Sequence, residues 1–394
     1  MIPTVTSSSH PHLRALAFSR EEYRARLRRV QKAMAPLDLD ALLCHMAPNV
    51  CYLTGFEGVL WFKYALAIVP REGDPILLAE DFEMPNACAT VWCDDWVTYS
   101  VFNGDPIAVT RDLLEKRGLS RKRLGFELGQ WALPVTMYHQ FRDSLPSATL
   151  VDASHIVESV KAIKSPAEIE VMRRCAKVTS DGMIASLKAV REGATDNDVA
   201  AVAYDVLMRG GSEYMSLDPI ITVGARASIP HSTHARVKIG RGDSALLEMG
   251  ACFHRYSTAT MRTAAVSPVP DIVRDMTNAC TTAVNTVISH MRPGAVGREI
   301  AKKADAVWPE FISRYIWHGN YAYSLGIGFP PDWNDSPCIV HVDHDLVLQP
   351  GMVFHVTTSL REVGVCGTAS SETVLVTEKG AEVLTQIPHG LTVA

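Results

Sequence analysis

The sequence predicts two domains of different class, a mixed α/β unit over residues 1–160 followed by an α+β unit over residues 161–394. Three observations predict it. A chain of 394 residues is about two to three times the usual domain size, long enough for two buried cores without disulfide or metal staples. Short apolar runs bounded by turn residues fill the first part, the pattern of buried strands. The second part alternates long helical stretches with strand pairs near 244–266 and 351–377.

The first helix is announced by Phe18-Ser19-Arg20-Glu21-Glu22, where Ser19 and Glu22 have capping-box spacing, and by Tyr23, Leu27, Val30 and Met34 on one helical face. Strands are expected at Ala41–Cys44, at Ala65–Val69 and, after the turn signal Gly73-Asp74, at Pro75–Ala79. None carries a Gly-rich dinucleotide or P-loop signature. The second unit opens at Lys161–Glu168: Ser165 caps, Pro166 occupies the first helical position where its missing N–H costs nothing, and Glu168 completes the box. That helix is predicted to run to about Val190, with further helices over 196–209 and 271–291.

Composition narrows the function. Lys and Arg number 38 against 43 Asp and Glu, a formal charge of −5, which argues against a nucleic-acid binder. No apolar run approaches the roughly 18–20 residues of a membrane span, and the N-terminal segment lacks the pattern of a secretory leader, so a cytoplasmic protein acting on small molecules is expected. Nine scattered cysteines without a CxxC pair fit reduced core thiols.

One residue breaks the apolar pattern. Glu248 stands among Leu246, Leu247 and Met249, where a carboxylate carries a desolvation cost unless it is paired, hydrogen-bonded or protonated. Such a residue marks a site or a buried ion pair.

The order Ile163-Lys164-Ser165-Pro166-x-Glu168-Ile169, Pro230-His231, Glu248 with Arg262-Thr263, Gly351-Met352-Val353-Phe354 and Ser371-Glu372-Thr373-Val374 resembles the creatinase/aminopeptidase P family over essentially the whole chain. The resemblance implies a small N-terminal α/β domain, a C-terminal pita-bread catalytic domain and a homodimer. In the metallopeptidase branch two metals sit on Asp, Asp, His, Glu and Glu; those places here fall at Glu248, Ala259, Leu325, Thr357 and Glu372. Two carboxylates cannot hold a dinuclear cluster, so no metal and no other cofactor is expected. The words Leu53-Thr54-Gly55-Phe56, Arg255-Tyr256, Gly326–Trp333 and Gly351–His355 look most like the ectoine-hydrolysing branch. It implies metal-independent opening of a C–N bond in a small cationic or zwitterionic solute, with ectoine converted to N-acetyl-diaminobutyrate. A creatinase-type amidinohydrolase and an inactive, ligand-binding peptidase homologue are the competing readings.

By that resemblance Glu248 is the nucleophile or base, His231 the acid/base partner and Glu372 a third catalytic residue. Glu372 could equally pair with Arg262 in a structural salt bridge, and His231 could be an ordinary loop histidine. Aromatic faces attract an amidinium, and Arg262 or Arg255 could hold a substrate carboxylate. The expected pocket residues are therefore Trp61, Phe62, Tyr256, Arg262, Tyr323 and Trp333.

Overall fold

A computed structural model of the chain describes residues 11–59, 63–129 and 133–394. Its contacts divide it into two units, Met1–Lys161 and Ala162–Ala394.

In the first unit, helix α1 (Arg20–Met34) starts where Ser19 accepts the Glu22 N–H at 3.2 Å, and it buries Tyr23, Leu27, Val30 and Met34. The expected reciprocal cap differs. Arg26 is buried on the same face with its guanidinium 4.0 Å from the Phe18 ring, and the Glu22 carboxylate accepts from its Nε at 2.9 Å. A buried cation needs a carboxylate more than an exposed helix end does.

Strands β1 (Ala41–Cys44), β2 (Leu66–Pro70), β3 (Ile76–Glu80), β4 (Trp96–Tyr99), β5 (Arg123–Phe126) and β6 (Thr149–Asp152) form one sheet in the order β4-β3-β2-β1-β5-β6. Every residue of β1 and β3 is buried, as their apolar runs require. The connections decide strand direction. The short turn at 71–75 makes β2 and β3 antiparallel, whereas the parallel pairs β3–β4 and β5–β6 are joined through helices. Those helices are α3 (Met84–Thr90) and α5 (Val135–Ser144); α2 (Ala47–Thr54), α4 (Pro106–Lys116) and α6 (Ile156–Lys161) complete the unit. Glu127, buried, accepts the His45 and Met46 N–H groups at 2.6 and 2.8 Å and so anchors the start of α2.

In the second unit, α7 (Pro166–Ala189) carries the full predicted box: the Ser165 hydroxyl accepts the Glu168 N–H at 3.2 Å and the Glu168 carboxylate accepts the Ser165 N–H at 2.8 Å. Next come α8 (Asp196–Arg209), β7 (Ile220–Val223), β8 (Ser244–Met249), the ribbon β9 (Cys252–Phe253) with β10 (Tyr256–Ser257), and β11 (Thr260–Ala265). Helices α9 (Asp271–His290), α10 (Gly297–Asp305) and α11 (Pro309–Arg314) precede β12 (Ala322–Leu325), β13 (Asn334–Val340), β14 (Val353–Glu362), β15 (Cys366–Thr377), β16 (Gly380–Val383) and β17 (Thr392–Val393). Two sheets result, ordered β17-β11-β8-β7 and β13-β12-β14-β15-β16.

Strand alternation gives each sheet one helix-covered face. Ala245, Leu247 and Met249 of β8 join the core of α7 and α8, while Phe354, Val356, Leu360, Val374 and Val376 join that of α9 and α10. Each of the larger buried side chains, Leu, Met, Phe or Val, contributes about 1.5–3 kcal/mol, enough for the pair of cores to carry a few polar groups on the other, inner faces. There the sheets are stitched by side chains: Thr373 Oγ1 bonds both the N–H and the carbonyl of Ala259 (3.0 and 2.8 Å), Ser371 Oγ accepts the Met261 N–H (2.5 Å), and Thr263 Oγ1 serves both groups of Ala369 (2.9 and 3.0 Å).

Candidate active site

Glu248 lies on β8 between β7 and β11, paired with Ile220 and Met261. Because Leu247 and Met249 turn to the helical core, Glu248 turns to the inner face. Its side of the strand also presents Leu246, which packs on Met261 and Ala369. The residue is 5% exposed and, among the described residues, no group hydrogen-bonds its carboxylate. Burial pushes its pKa up to about 7, against the attraction of Arg361. The acid therefore sits poised between its two protonation states at neutral pH.

The opposing wall comes from the odd-numbered residues of β14. His355, Thr357, Ser359 and Arg361 share its inner face, while the even residues Phe354, Val356 and Leu360 lie in the core. His355 is fully buried: Nδ1 is 2.7 Å from Tyr323 Oη and Nε2 is 2.6 Å from Ser371 Oγ. Burial drives its pKa down to about 3, so the imidazole is neutral. The Trp333 indole N–H donates to Tyr323 Oη at 2.8 Å. Burial and the nearby Glu248 raise the Tyr323 pKa well above its usual value, so the phenol keeps its proton. Arg361 donates from Nη1 to Ser359 Oγ at 2.6 Å, while its buried Nε finds no partner among the described residues. Burial lowers the Arg361 pKa and Glu248 opposes the fall, which places carboxylate and guanidinium in one electrostatic field.

His231 lies in an exposed loop with φ of 52°, held by Arg226 donating to Ser232 Oγ (2.7 Å) and the Thr233 carbonyl (3.1 Å). It is near enough to His318 for their charges to interact, and His318 in turn contacts Ser359 at 3.3 Å.

Residues 170–378 match the metallopeptidase family M24, and residues 26–163 match the creatinase/prolidase N-terminal domain. The chain belongs to the M24 family. It is 27% identical to an ectoine hydrolase of Halomonas elongata over 96% of this chain and 98% of that one. It is 25% identical to a creatinase of a Bacillus species, over 95% and 92% respectively. Its structure superposes on an Xaa-Pro dipeptidase from Bacillus anthracis with a TM-score of 0.83 at 21% identity, covering 94% of this chain and all of that one. The pita-bread fold and a hydrolase of the creatinase/M24 family are thereby shown.

The metals that the family name implies do not fit the residues present. Ala259 and Leu325 are apolar, and Thr357 spends its hydroxyl on the sulfur of Met261 at 3.2 Å. Glu372 is fully buried on the face of β15 opposite Ser371, its carboxylate taken by Arg262 Nη2 and by the Thr385 hydroxyl. Of the five places, Glu248 alone offers a carboxylate to the inner face, and one ligand does not hold a divalent ion.

Several expected site residues are thus accounted for elsewhere. Glu372 and Arg262 form the structural salt bridge left open by the sequence; Arg262 is 1% exposed and also donates to the carbonyls of Met261, Ser371 and Pro388 (2.9, 2.6 and 3.0 Å), leaving nothing for a substrate. Tyr256 is buried and donates to Glu168 at 2.6 Å, tying β10 to α7. Arg255 donates to Glu213 at 2.8 Å. Tyr323 and Trp333 are brought together at the inner wall, whereas Trp61 and Phe62 lie outside the described residues. Arg361, His355 and Ser371 were missed. Their signal is the alternation of His355, Thr357, Ser359 and Arg361 within an otherwise apolar strand.

Proposed function

We propose that the chain is a metal-independent hydrolase that opens a C–N bond of a small zwitterionic cyclic amidine, with ectoine the leading substrate. The observation that carries the reading is Glu248, a buried carboxylate without a hydrogen-bonded partner among the described residues, in a pocket whose other family metal positions are apolar, hydroxylic or salt-bridged. An amidinium supplies the missing partner. Its charge favours the ionised form of Glu248, and its carbon is the electrophile that a carboxylate attacks or to which it directs water. Water adds to that carbon, the C–N bond on one side breaks, the freed nitrogen takes a proton, and an amide carbonyl forms. His231, in the loop beside His318, is the proposed acid for the leaving nitrogen. Arg361 is the proposed anchor for the substrate carboxylate, a place for which Arg262 is unsuited. The ectoine hydrolase and the creatinase among the relatives support this class of substrate.

The test is titration of chelator-treated protein with ectoine, followed by NMR for the ring-opened product. Metal-free turnover is expected. Activity that appears only with an added divalent ion, or only on an Xaa-Pro dipeptide or creatine, refutes the reading.

A further inference from the structure

The hydrogen bonds behind Tyr323 have a direction that proton accounting fixes. Ser371 Oγ accepts the Met261 N–H at 2.5 Å, and Ser371 is wholly buried. A serine hydroxyl has one proton, and among the described residues the acceptor within reach of it is His355 Nε2, 2.6 Å away. Were Nε2 itself protonated, the Ser371 proton would be stranded in the interior. Nε2 therefore accepts, and the imidazole proton sits on Nδ1, from which it donates to Tyr323 Oη at 2.7 Å. Tyr323 Oη takes a second donor, the Trp333 indole N–H at 2.8 Å, which can only donate. With both lone pairs engaged, the phenolic proton points away from His355 and Trp333, and no described group accepts it, the Glu248 carboxylate included.

We infer that Tyr323 is a fixed hydrogen-bond donor to the bound ligand, held by Ser371 and His355 as positioning residues, and that its acceptor is the carboxylate of the substrate. This rests on the proposed function for the identity of the ligand. An amidinium presents N–H donors and no acceptor, so it cannot face Tyr323 and turns to Glu248; the anionic end takes Tyr323. The chain ends in a backbone N–H, which is no proton source, so Tyr323 orients and selects and does not shuttle protons. A site built of oriented donors rejects an analogue that lacks the acceptor far more strongly than an apolar pocket would.

Two measurements test it. Long-range proton–nitrogen correlation spectra of histidine-labelled, unmutated protein, with His355 assigned by its loss in His355→Gln, are expected to show the Nδ1–H tautomer; the Nε2–H tautomer overturns the donor chain, whatever the substrate. Turnover of ectoine is then compared with that of the same cyclic amidine without its carboxylate, in the wild type and in Tyr323→Phe. The wild type is expected to prefer ectoine in kcat/KM, and Tyr323→Phe to lose about 10- to 100-fold of that preference, the worth of one hydrogen bond to a charged group. An unchanged preference in a folded variant overturns the assignment of the carboxylate to Tyr323. Absence of turnover on either amidine by the wild type overturns the substrate and the proposed function together, while the tautomer still decides the direction of the chain.

Discussion

Replacing Glu248 by Gln tests the physical core of the site without requiring any substrate. The native carboxyl titrates near pH 7, against an ordinary value of 4.5, because it is buried and Arg361 compensates only in part. An acid whose pKa is raised by folding binds more protons in the native than in the unfolded state between those two values, so stability falls as pH rises from about 4.5 to about 7 and the loss is complete above. At about 1.4 kcal/mol for each tenfold in proton affinity, the interval corresponds to about 3 kcal/mol. Glutamine does not titrate and lacks this slope. Urea denaturation of both proteins from pH 4 to pH 8 is therefore expected to show the variant gaining about 3 kcal/mol on the wild type across the range, most of it between pH 5 and 7. Taking the difference removes groups common to both, including buried Glu127, also pushed up to about 7. Stability curves that stay parallel over the range would refute a buried, poorly compensated Glu248.

Other outcomes follow from the same structure. Glu372→Gln leaves Arg262 buried without its carboxylate and is expected to cost about 3–5 kcal/mol in chemical denaturation, with kcat near that of the wild type wherever the protein remains folded; a large fall in kcat in folded protein would return Glu372 to the chemistry. Lys164→Met removes the ion-pair partner of Asp335, which now holds the lysine at 2.8 Å with both side chains about 1% exposed, and a loss of about 3–5 kcal/mol is expected. The double change with Asp335→Leu should recover part of it, and no recovery would show that the pair is not what stabilises the region. Arg361→Met removes the cation that favours ionised Glu248, so the acid limb of the kcat/KM profile should move to higher pH as KM rises; an unmoved limb would separate Arg361 from Glu248.

The legible parts of the fold were those written locally. The apolar runs of β1 to β3 and the Ser165–Glu168 box depend on neighbours within a few residues, and both formed as their chemistry required. Glu248 was legible for the same reason, as an acid in an apolar strand. The remaining site is assembled by register: Tyr323 reaches His355 only because β12 pairs with β14, and His355 reaches Ser371 only because β14 pairs with β15. Nothing within Ser370-Ser371-Glu372 says which residue turns inward, and the acid is the more conspicuous choice. The two-residue period of the strand puts the serine on the inner face and sends the acid to Arg262.

The stitching of β11 to β15 by hydroxyls also gives the molecule a built-in gauge. The Met261 amide proton is protected by a serine side chain and not by a ladder carbonyl, and that serine keeps its orientation only while His355 accepts from it. Its deuterium uptake therefore reports on a chain of groups extending to Tyr323, while the amides of Ala259 and Ala369, bound to threonines on either side, serve as internal standards for the opening of the seam itself. A ligand that takes the Tyr323 proton would slow exchange at this one amide relative to its neighbours, so occupancy of the pocket could be followed from a single backbone position that no ligand touches.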